Sequence, residues 1–137
     1  MSVVYAVDVT ITTPVHETEL PDRVERAVHN LFPEADTERT DGELRGEAHG
    51  METFAERLRE QAILDTAREA FFENRGGDTT TFRLKKAAAF EGVVNFAVGS
   101  ADELGEIHVE VTVRDPSFEA YVDHVAPPTE DGDPLIE

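Results

Sequence analysis

Apolar and polar residues alternate along three stretches of the chain, at residues 3–12, 79–85 and 107–113. This period of two is typical of β-strands that bury one face, and Pro14 is placed to end the first strand. The alternation therefore predicts three strands with a core side and a solvent side. The side chains predicted to face inward are Val3, Tyr5, Val7, Val9, Ile11, Thr80, Phe82, Leu84, Ile107, Val109, Val111 and Val113.

Two further segments carry weaker strand signals. The run VVNFAV at 93–98 is mostly apolar and predicts a strand, joined to the last strand by a hairpin-type link at 101–105. Residues 34–50 are polar, but Asp41-Gly42 is a hairpin turn signal. They are interpreted as two short, solvated strands, with a long loop as the alternative.

Apolar residues at spacings of three and four predict the helices. Pro21 suits the first position of a helix that Pro33 closes. The clearest pattern predicts one amphipathic helix of about six turns, from residue 51 to a stop at Gly76-Gly77. A short helical turn at 86–91 ends at Gly92, and a closing helix follows Pro116. The predicted buried residues of the closing helix are Phe118, Tyr121, Val122 and Val125.

The order of these elements predicts an α+β fold, with a mostly antiparallel sheet and helices packed on one face. The chain of 137 residues has the length of one ordinary domain. We expect a single α+β domain over residues 1–126. Residues 127–137, PPTEDGDPLIE, are acidic and carry prolines, and are predicted to form a disordered tail.

Charge changes this picture more than any other property. The chain has 30 acidic and 12 basic residues, a formal net charge of −18, and the acids are dispersed. Self-repulsion at this density destabilises a compact state in dilute buffer, and concentrated salt screens it. The dispersed acids indicate a protein adapted to a salt-rich archaeal cytosol. The competing interpretation is an acidic surface that binds a basic partner.

The amino-acid composition and the apolar runs exclude several kinds of site and of protein. Without cysteine there are no disulfides and no thiolate nucleophiles or metal ligands. The first residues lack a basic region and no apolar run is long enough to span a bilayer, so a cytoplasmic protein without a membrane partner is expected. Nucleic-acid affinity depends largely on counterion release. The net charge therefore disfavours RNA, and no DNA partner is expected.

Enzyme signatures are absent: the chain has no glycine-rich phosphate loop, no G-x-S-x-G and no H-E-x-x-H. His108 with Glu110, or His16 with Glu17 or Glu19, are the pairs with metal-ligand potential. Two ligands without a third are weak evidence. No catalytic residue, metal site or cofactor is predicted.

The two lysines of the chain, Lys85 and Lys86, are adjacent and precede three alanines. Arg83 and Lys85 are predicted to share the open face of a strand, and Lys86 lies where the helical turn begins. A cation at a helix N-terminus opposes the helix dipole, which suggests that the pair has a role. That role is either structural, through pairing with acids, or the binding of a ligand or an RNA phosphate.

Three motifs carry a resemblance to a known family: QAILDTAR (61–68), TTFRLKKAAAFEGVVNF (80–96) and ELGEIHVEV (103–111). In joint order and spacing they resemble the archaeal uncharacterised protein family 0201, also called domain of unknown function 54. The likeness runs from Val3 to about Val113 and is strongest in the second half.

The resemblance implies an α+β, RRM-like fold with an antiparallel sheet, similar to the RNA-binding domain of the ribosomal protein that contacts 5S rRNA. The family has no established activity. Its pattern places Asn-Lys-Gln before the alanines, where this chain has Lys85-Lys86-Ala87, so Lys86 alone carries over. The run FEGVVNFAV departs from the RRM signature, and Phe96 is its one aromatic residue available for stacking on a base.

We therefore expect a non-enzymatic binding or assembly module, acting alone or as a homodimer. The alternatives are an RNA-binding protein that uses a local patch of Arg68, Arg83, Lys85 and Lys86, and an unrecognised enzyme. The candidate binding residues are Gln61, Asp65, Arg68, Arg83, Lys85 and Lys86.

Overall fold

The computed structural model describes residues 4–97, 105–130 and 133–134. The predicted link at 101–105 lies outside the described residues except for Gly105, as does the last residue of the predicted strand 93–98. The strands are β1 (Ala6–Pro14), β2 (Asp36–Thr40), β3 (Glu43–Ala48), β4 (Arg75–Gly76), β5 (Thr79–Lys85), β6 (Glu106–Asp115), β7 (Thr129–Glu130) and β8 (Asp133–Pro134). The helices are α1 (Pro21–Leu31), α2 (Glu52–Glu60), α3 (Leu64–Glu73), α4 (Lys86–Ala89) and α5 (Phe118–Val125).

Six strands form one sheet in the order β2-β3-β1-β6-β5-β4, and every neighbouring pair is antiparallel. The two longest strands, β1 and β6, lie at its centre, with Val9 opposite Val111. The predicted α+β class with an antiparallel sheet is confirmed. No helix within the described ranges is long and apolar enough to span a bilayer.

One face of the sheet carries the core. The inward residues predicted in β1, β5 and β6 are buried from Val7 onward, because the strand alternation places them all on this side. The buried residues of the helices join them in a single cluster, so the helices cover this face. The predicted buried positions of α5 are confirmed as well.

The polar segment 34–50 forms the hairpin β2–β3, with Gly42 at a φ of 79° in its turn. The hairpin interpretation is confirmed and the loop alternative is wrong. The hairpin is less solvated than predicted, because Leu44, Gly46 and Ala48 of β3 are buried.

The single long helix is a wrong prediction, because α2 and α3 are separate. The chain breaks at Gln61, Ala62 and Ile63, and Ala62 has a φ of 57°. An unbroken helix would continue the stripe of Phe54 and Leu58 through Asp65. The break rotates α3 relative to α2, so that its apolar residues, and not Asp65, are buried. Those residues are Leu64, Ala67 and Phe71.

Two smaller corrections concern β5 and its surroundings. Gly76-Gly77 does not cap the helix, because α3 ends at Glu73. Gly76 belongs to β4, and Gly77 lies in the turn between β4 and β5. The described part of 93–98 is not a strand either, since it forms one isolated bridge, between Leu84 and Phe96. The predicted turn at α4 and its stop at Gly92, with a φ of 74°, are confirmed.

The chain leaves the sheet through α5, whose first turn is capped by Ser117 Oγ accepting from the amide of Ala120 at 3.1 Å. Beyond α5, β7 pairs with β8, and Thr129 Oγ1 donates to Asp65 Oδ1 at 2.5 Å. A domain boundary at residue 126 and a disordered acidic tail stay predictions.

Candidate functional site

The outward face of the sheet is lined by polar and charged side chains. Because successive residues of a strand point to opposite faces, the neighbours of the buried valines all emerge on this side. Arg45, Thr81, His108 and Glu110 are exposed there. The described helices bury their apolar residues on the other face, which leaves this one open.

Strand register places four of these side chains in line. Arg45 of β3 lies opposite Thr12 of β1, Thr12 opposite His108 of β6, and His108 opposite Arg83 of β5. We call these four residues the cross-strand row. Neighbouring strands lie about 4.8 Å apart, so the Cα atoms of Arg45 and Arg83 are separated by about 14 Å.

The row lies in a concavity of about 710 Å³. Its sheet side is formed by the row and by Thr10, Thr81 and Glu110, and it continues past the edge of β5 to the end of α3. A volume of this size is typical of sites that hold small organic groups. The remaining lining residues are Ala70, Glu73, Asn74, Phe82, Phe96, Ala97 and Val109.

Both signs of charge occur in this concavity, which is lined by Arg45, Arg83, Glu73 and Glu110. The guanidinium of Arg83 donates from Nη1 to Glu106 Oε1 at 2.9 Å, and that carboxylate is 3% exposed. Glu106 Oε2 is buried without a hydrogen-bond partner. Arg45 is exposed, and no carboxylate of the described residues lies within 4 Å of it. Arg83 is therefore held in place by its acid, whereas Arg45 projects towards solvent.

Lys86 is not on this face. Its side chain is 0% exposed, and its ammonium donates to Pro14 O at 2.6 Å and to Glu19 Oε1 and Oε2 at 3.0 and 3.2 Å. Glu19 is itself almost fully buried. This lysine ties the end of β1 to the start of α4, which favours the structural role over the ligand-binding one.

Three other candidate residues hold elements together on the helical side. The amide of Gln61 makes two hydrogen bonds of 2.8 Å with the backbone of Val94, and Asp65 accepts the bond from Thr129. Arg68 Nη1 donates to Asp123 Oδ1 at 2.7 Å and to Ala126 O at 3.2 Å. These contacts link α3 and the break before it to the segments that pack against them.

The six candidates therefore do not converge. Arg83 and Lys85 share the open face, and Lys85 is half-buried opposite Glu106 in the register. Arg68 belongs to the helical layer and Lys86 to the interior, so the single patch of Arg68, Arg83, Lys85 and Lys86 does not form. A binding role for the six stays a prediction.

Sequence reasoning missed Arg45 and Thr12. Arg45 lies in the hairpin whose strands carried the weakest signal, and its register against β1 is a tertiary property. The usable signal was the alternation of Leu44, Gly46 and Ala48, which places Arg45 on the opposite face.

The metal-ligand pairs considered from the sequence have other neighbours. His108 lies between Thr12 and Arg83 in the row, and Glu19 binds Lys86. Within the described ranges, no three His, Asp or Glu side chains are grouped so that they could hold a metal ion.

Comparison with known proteins gives a consistent family. A family model described as RNA binding matches residues 8–113, which span β1 to β6 and all of the cross-strand row. A UPF0200/UPF0201 protein of Archaeoglobus fulgidus is 38% identical over 132 residues. These residues cover 96% of this chain but 41% of that longer relative. A UPF0201 protein of Methanopyrus kandleri is 38% identical over 144 residues, with 94% of this chain and 90% of that protein covered.

Solved structures agree with these sequence matches. The crystal structure of a UPF0201 protein from Methanococcus jannaschii is similar to this chain with a TM-score of 0.87 and 32% identity, covering 93% of this chain and 98% of that one. A second uncharacterized UPF0201 protein gives a TM-score of 0.84 at 36% identity, covering 93% and 99%. The resemblance inferred from the three sequence motifs is thus confirmed.

Proposed function

Because this chain belongs to the UPF0201 family of archaeal proteins, we propose that it is a non-enzymatic binding module that holds RNA on the open face of its sheet. The observation that carries the proposal is the cross-strand row. It crosses four strands inside the concavity, and it lies within the region that the RNA-binding family model matches.

The row supplies the chemistry that an RNA strand needs. Arginine side chains bind phosphate through several N–H donors, and threonine hydroxyls and a histidine ring bond phosphate, sugar or base. The separation of about 14 Å between Arg45 and Arg83 exceeds the axial rise of roughly 3.4 Å per nucleotide in a strand. One strand laid across the sheet therefore contacts both arginines through different nucleotides.

The net charge of −18 limits the way in which this site can work. Long-range attraction for RNA is unavailable, so affinity comes from the local donors of the row and from contacts with bases. Arg83 is already paired with Glu106, so with Arg45 alone neutralising a phosphate the slope of log K against log salt for a single strand is about −0.7. Such a shallow slope lets the complex survive in concentrated salt.

We extend the proposal to habitat. The acids are dispersed along the chain, which supports adaptation to a salt-rich archaeal cytosol over a dedicated surface for a basic partner. A homodimer is compatible with this function, because each copy carries its own complete row.

The test is a binding titration with an unstructured 12-nucleotide RNA, followed by fluorescence anisotropy in about 0.2 to 2 M KCl. Arg45→Gln removes the exposed arginine of the row without leaving a buried acid unpaired. We expect an affinity loss of about 3- to 10-fold and a salt slope shallower by about 0.7. Electrophoresis of the RNA after incubation checks that it is bound and not cleaved.

Arg59→Gln is the matched control, because Arg59 is exposed on α2 in the helical layer. It changes the net charge equally and is expected to leave affinity unchanged. Absence of RNA binding at every salt concentration, or equal losses in the two variants, contradicts the proposal.

A further inference from the structure

A second line of side chains crosses the open face beside the cross-strand row. Glu110 of β6 lies opposite Thr10 of β1 on one side and opposite Thr81 of β5 on the other. We call Thr10, Glu110 and Thr81 the second row. Each of its members lies two residues along its strand from a member of the cross-strand row, so the two rows are parallel and about 7 Å apart.

The concavity lies on this side of the cross-strand row. All three residues of the second row line it. On the other side of the cross-strand row, the corresponding positions of β5 and β6 are Lys85 and Glu106, and neither lines the concavity. Glu106 is buried and already accepts a hydrogen bond from Arg83. A nucleic-acid strand whose phosphates follow the cross-strand row therefore places its sugars over the second row.

Glu110 gives the second row a negative charge. Its side chain is exposed, and no cation of the described residues lies within 4 Å of its carboxylate. An ionised carboxylate accepts hydrogen bonds but cannot donate them. Phosphate oxygens are also acceptors, so this carboxylate repels a nucleic-acid backbone unless a donor hydrogen lies between them.

The ribose 2′-hydroxyl supplies such a hydrogen. It is the hydrogen-bond donor of the RNA backbone, and deoxyribose lacks it. Dinucleotide-binding proteins use the same contact, since an Asp or Glu in their site accepts a hydrogen bond from the ribose 2′-hydroxyl. The threonine hydroxyls on either side of Glu110 both donate and accept, so they suit either sugar. Glu110 is thus the member of the second row that distinguishes the two sugars.

We propose that Glu110 accepts a hydrogen bond from a ribose 2′-hydroxyl, so that the open face selects RNA over single-stranded DNA. The inference rests on the proposed function, because the cross-strand row must hold the phosphates. A deoxyribose strand in the same position leaves the carboxylate facing acceptors alone, and its charge opposes binding. An acid on the binding face of this chain therefore gives selectivity between the two nucleic acids.

The experiment compares three 12-nucleotide strands of uracil bases that differ in the sugar alone: ribose, 2′-fluoro-ribose and deoxyribose. The 2′-fluoro sugar keeps the shape of ribose but cannot donate a hydrogen bond. Fluorescence anisotropy over the KCl range of the first titration measures the affinities. We expect the ribose strand to bind about five-fold or more tightly than either of the other two.

Glu110→Gln keeps the size of the side chain and one acceptor oxygen, but it removes the charge and adds a donor. We expect the affinity for the 2′-fluoro and deoxyribose strands to rise, so that the ribose preference falls below about two-fold. A structural role for Glu110 predicts no such gain. Glu69→Gln is the matched control, because Glu69 is exposed on α3 outside the concavity. It changes the net charge equally and should keep the preference.

The outcomes separate this inference from the function on which it rests. Equal affinities for the three strands, with the Arg45→Gln loss intact, overturn the ribose contact and leave the proposed function standing. A ribose preference that Glu110→Gln leaves unchanged, or that Glu69→Gln reduces equally, also overturns the assignment to Glu110. Binding of none of the three strands overturns both proposals.

Discussion

Lys86 is the first residue of α4, and its ammonium and the carboxylate of Glu19 have both left water. A buried ion pair is held together mainly because each charge is costly without the other. The carbonyl of Pro14 takes a further hydrogen of the ammonium. The sequence singled out this lysine as unusual and left its role open between pairing with acids and binding a ligand or an RNA phosphate. Its acid partner is 67 residues away along the chain and is brought near only by the fold.

Replacing the lysine of this ion pair tests whether each buried charge depends on the other. Lys86→Met is expected to lower the free energy of unfolding by about 3 kcal/mol, because it leaves the Glu19 carboxylate and the Pro14 carbonyl buried and unpaired. Urea denaturation at neutral pH measures the change. The adjacent Lys85→Met is the matched control and should stay within about 0.5 kcal/mol, since Lys85 is half-buried. Similar losses of unfolding free energy in the two variants would show that the buried ion pair does not account for the stability.

At the scale of elements, the edge strand β2 is fastened to α1. Thr37 Oγ1 donates to Glu25 Oε2 at 2.7 Å, and Arg39 binds both Asp22 and Glu25. The Thr37 hydroxyl, and after it the Arg39 guanidinium, lowers the pKa of Glu25 against the opposing effect of burial. A carboxyl with a lowered pKa stabilises the fold above its unfolded pKa, and this contribution is lost as the pH falls through the folded value.

Thr37→Val removes the hydroxyl with little change of shape. We expect it to cost about 1 kcal/mol at pH 7, because the Glu25 side chain is 29% exposed and solvent weakens the bond. The difference from wild type should shrink as the pH falls below the unfolded pKa of 4.5 and Glu25 takes up a proton in the folded state. Urea titrations at pH 7 and pH 3 measure it. A difference independent of pH would assign the loss to packing and not to the charged hydrogen bond.

Sequence patterns were most informative where one period ran undisturbed. The alternation in β1, β5 and β6 predicted both the strands and their buried faces. Pro21 is the first residue of α1, and α5 follows Pro116, as expected. The break between α2 and α3 was missed. Gly, not Ala, is the residue that usually signals a positive φ, so Ala62 gave no warning. The site residue Arg45 was missed because no local sequence pattern predicts which residues of neighbouring strands lie opposite each other.

At the scale of the whole molecule, charge sets the conditions in which the fold is stable. Ion pairs neutralise Arg39, Arg68, Arg75, Arg83, Lys86 and Arg114. Acids outnumber bases by 30 to 12, so most carboxylates repel one another without a cation between them. Added salt weakens the exposed pairs and the repulsion together, and the repulsion is the larger effect.

We therefore expect the free energy of unfolding to rise by several kcal/mol between about 0.1 and 2 M KCl. Urea denaturation at each salt concentration measures it at pH 7. The control is the same series near pH 4.5, the isoelectric point of the sequence, where the net charge is close to zero and the salt effect should be much smaller. A flat response at pH 7 would contradict the account of the acidic surface.

The position of β1 in the sheet has a consequence for synthesis on the ribosome. Of the six strands of the sheet this one is made first, yet its two hydrogen-bonded neighbours are β3 and β6, and Val9 meets Val111 only after about a hundred further residues have been added. Translation proceeds at roughly 5–20 residues per second, so the valine-rich face of β1 stays exposed for several seconds before β6 can pair with the strand. During that interval other polypeptides can bind this apolar strand of the nascent chain. A chaperone bound to the first fifteen residues would prevent such contacts until β6 emerges.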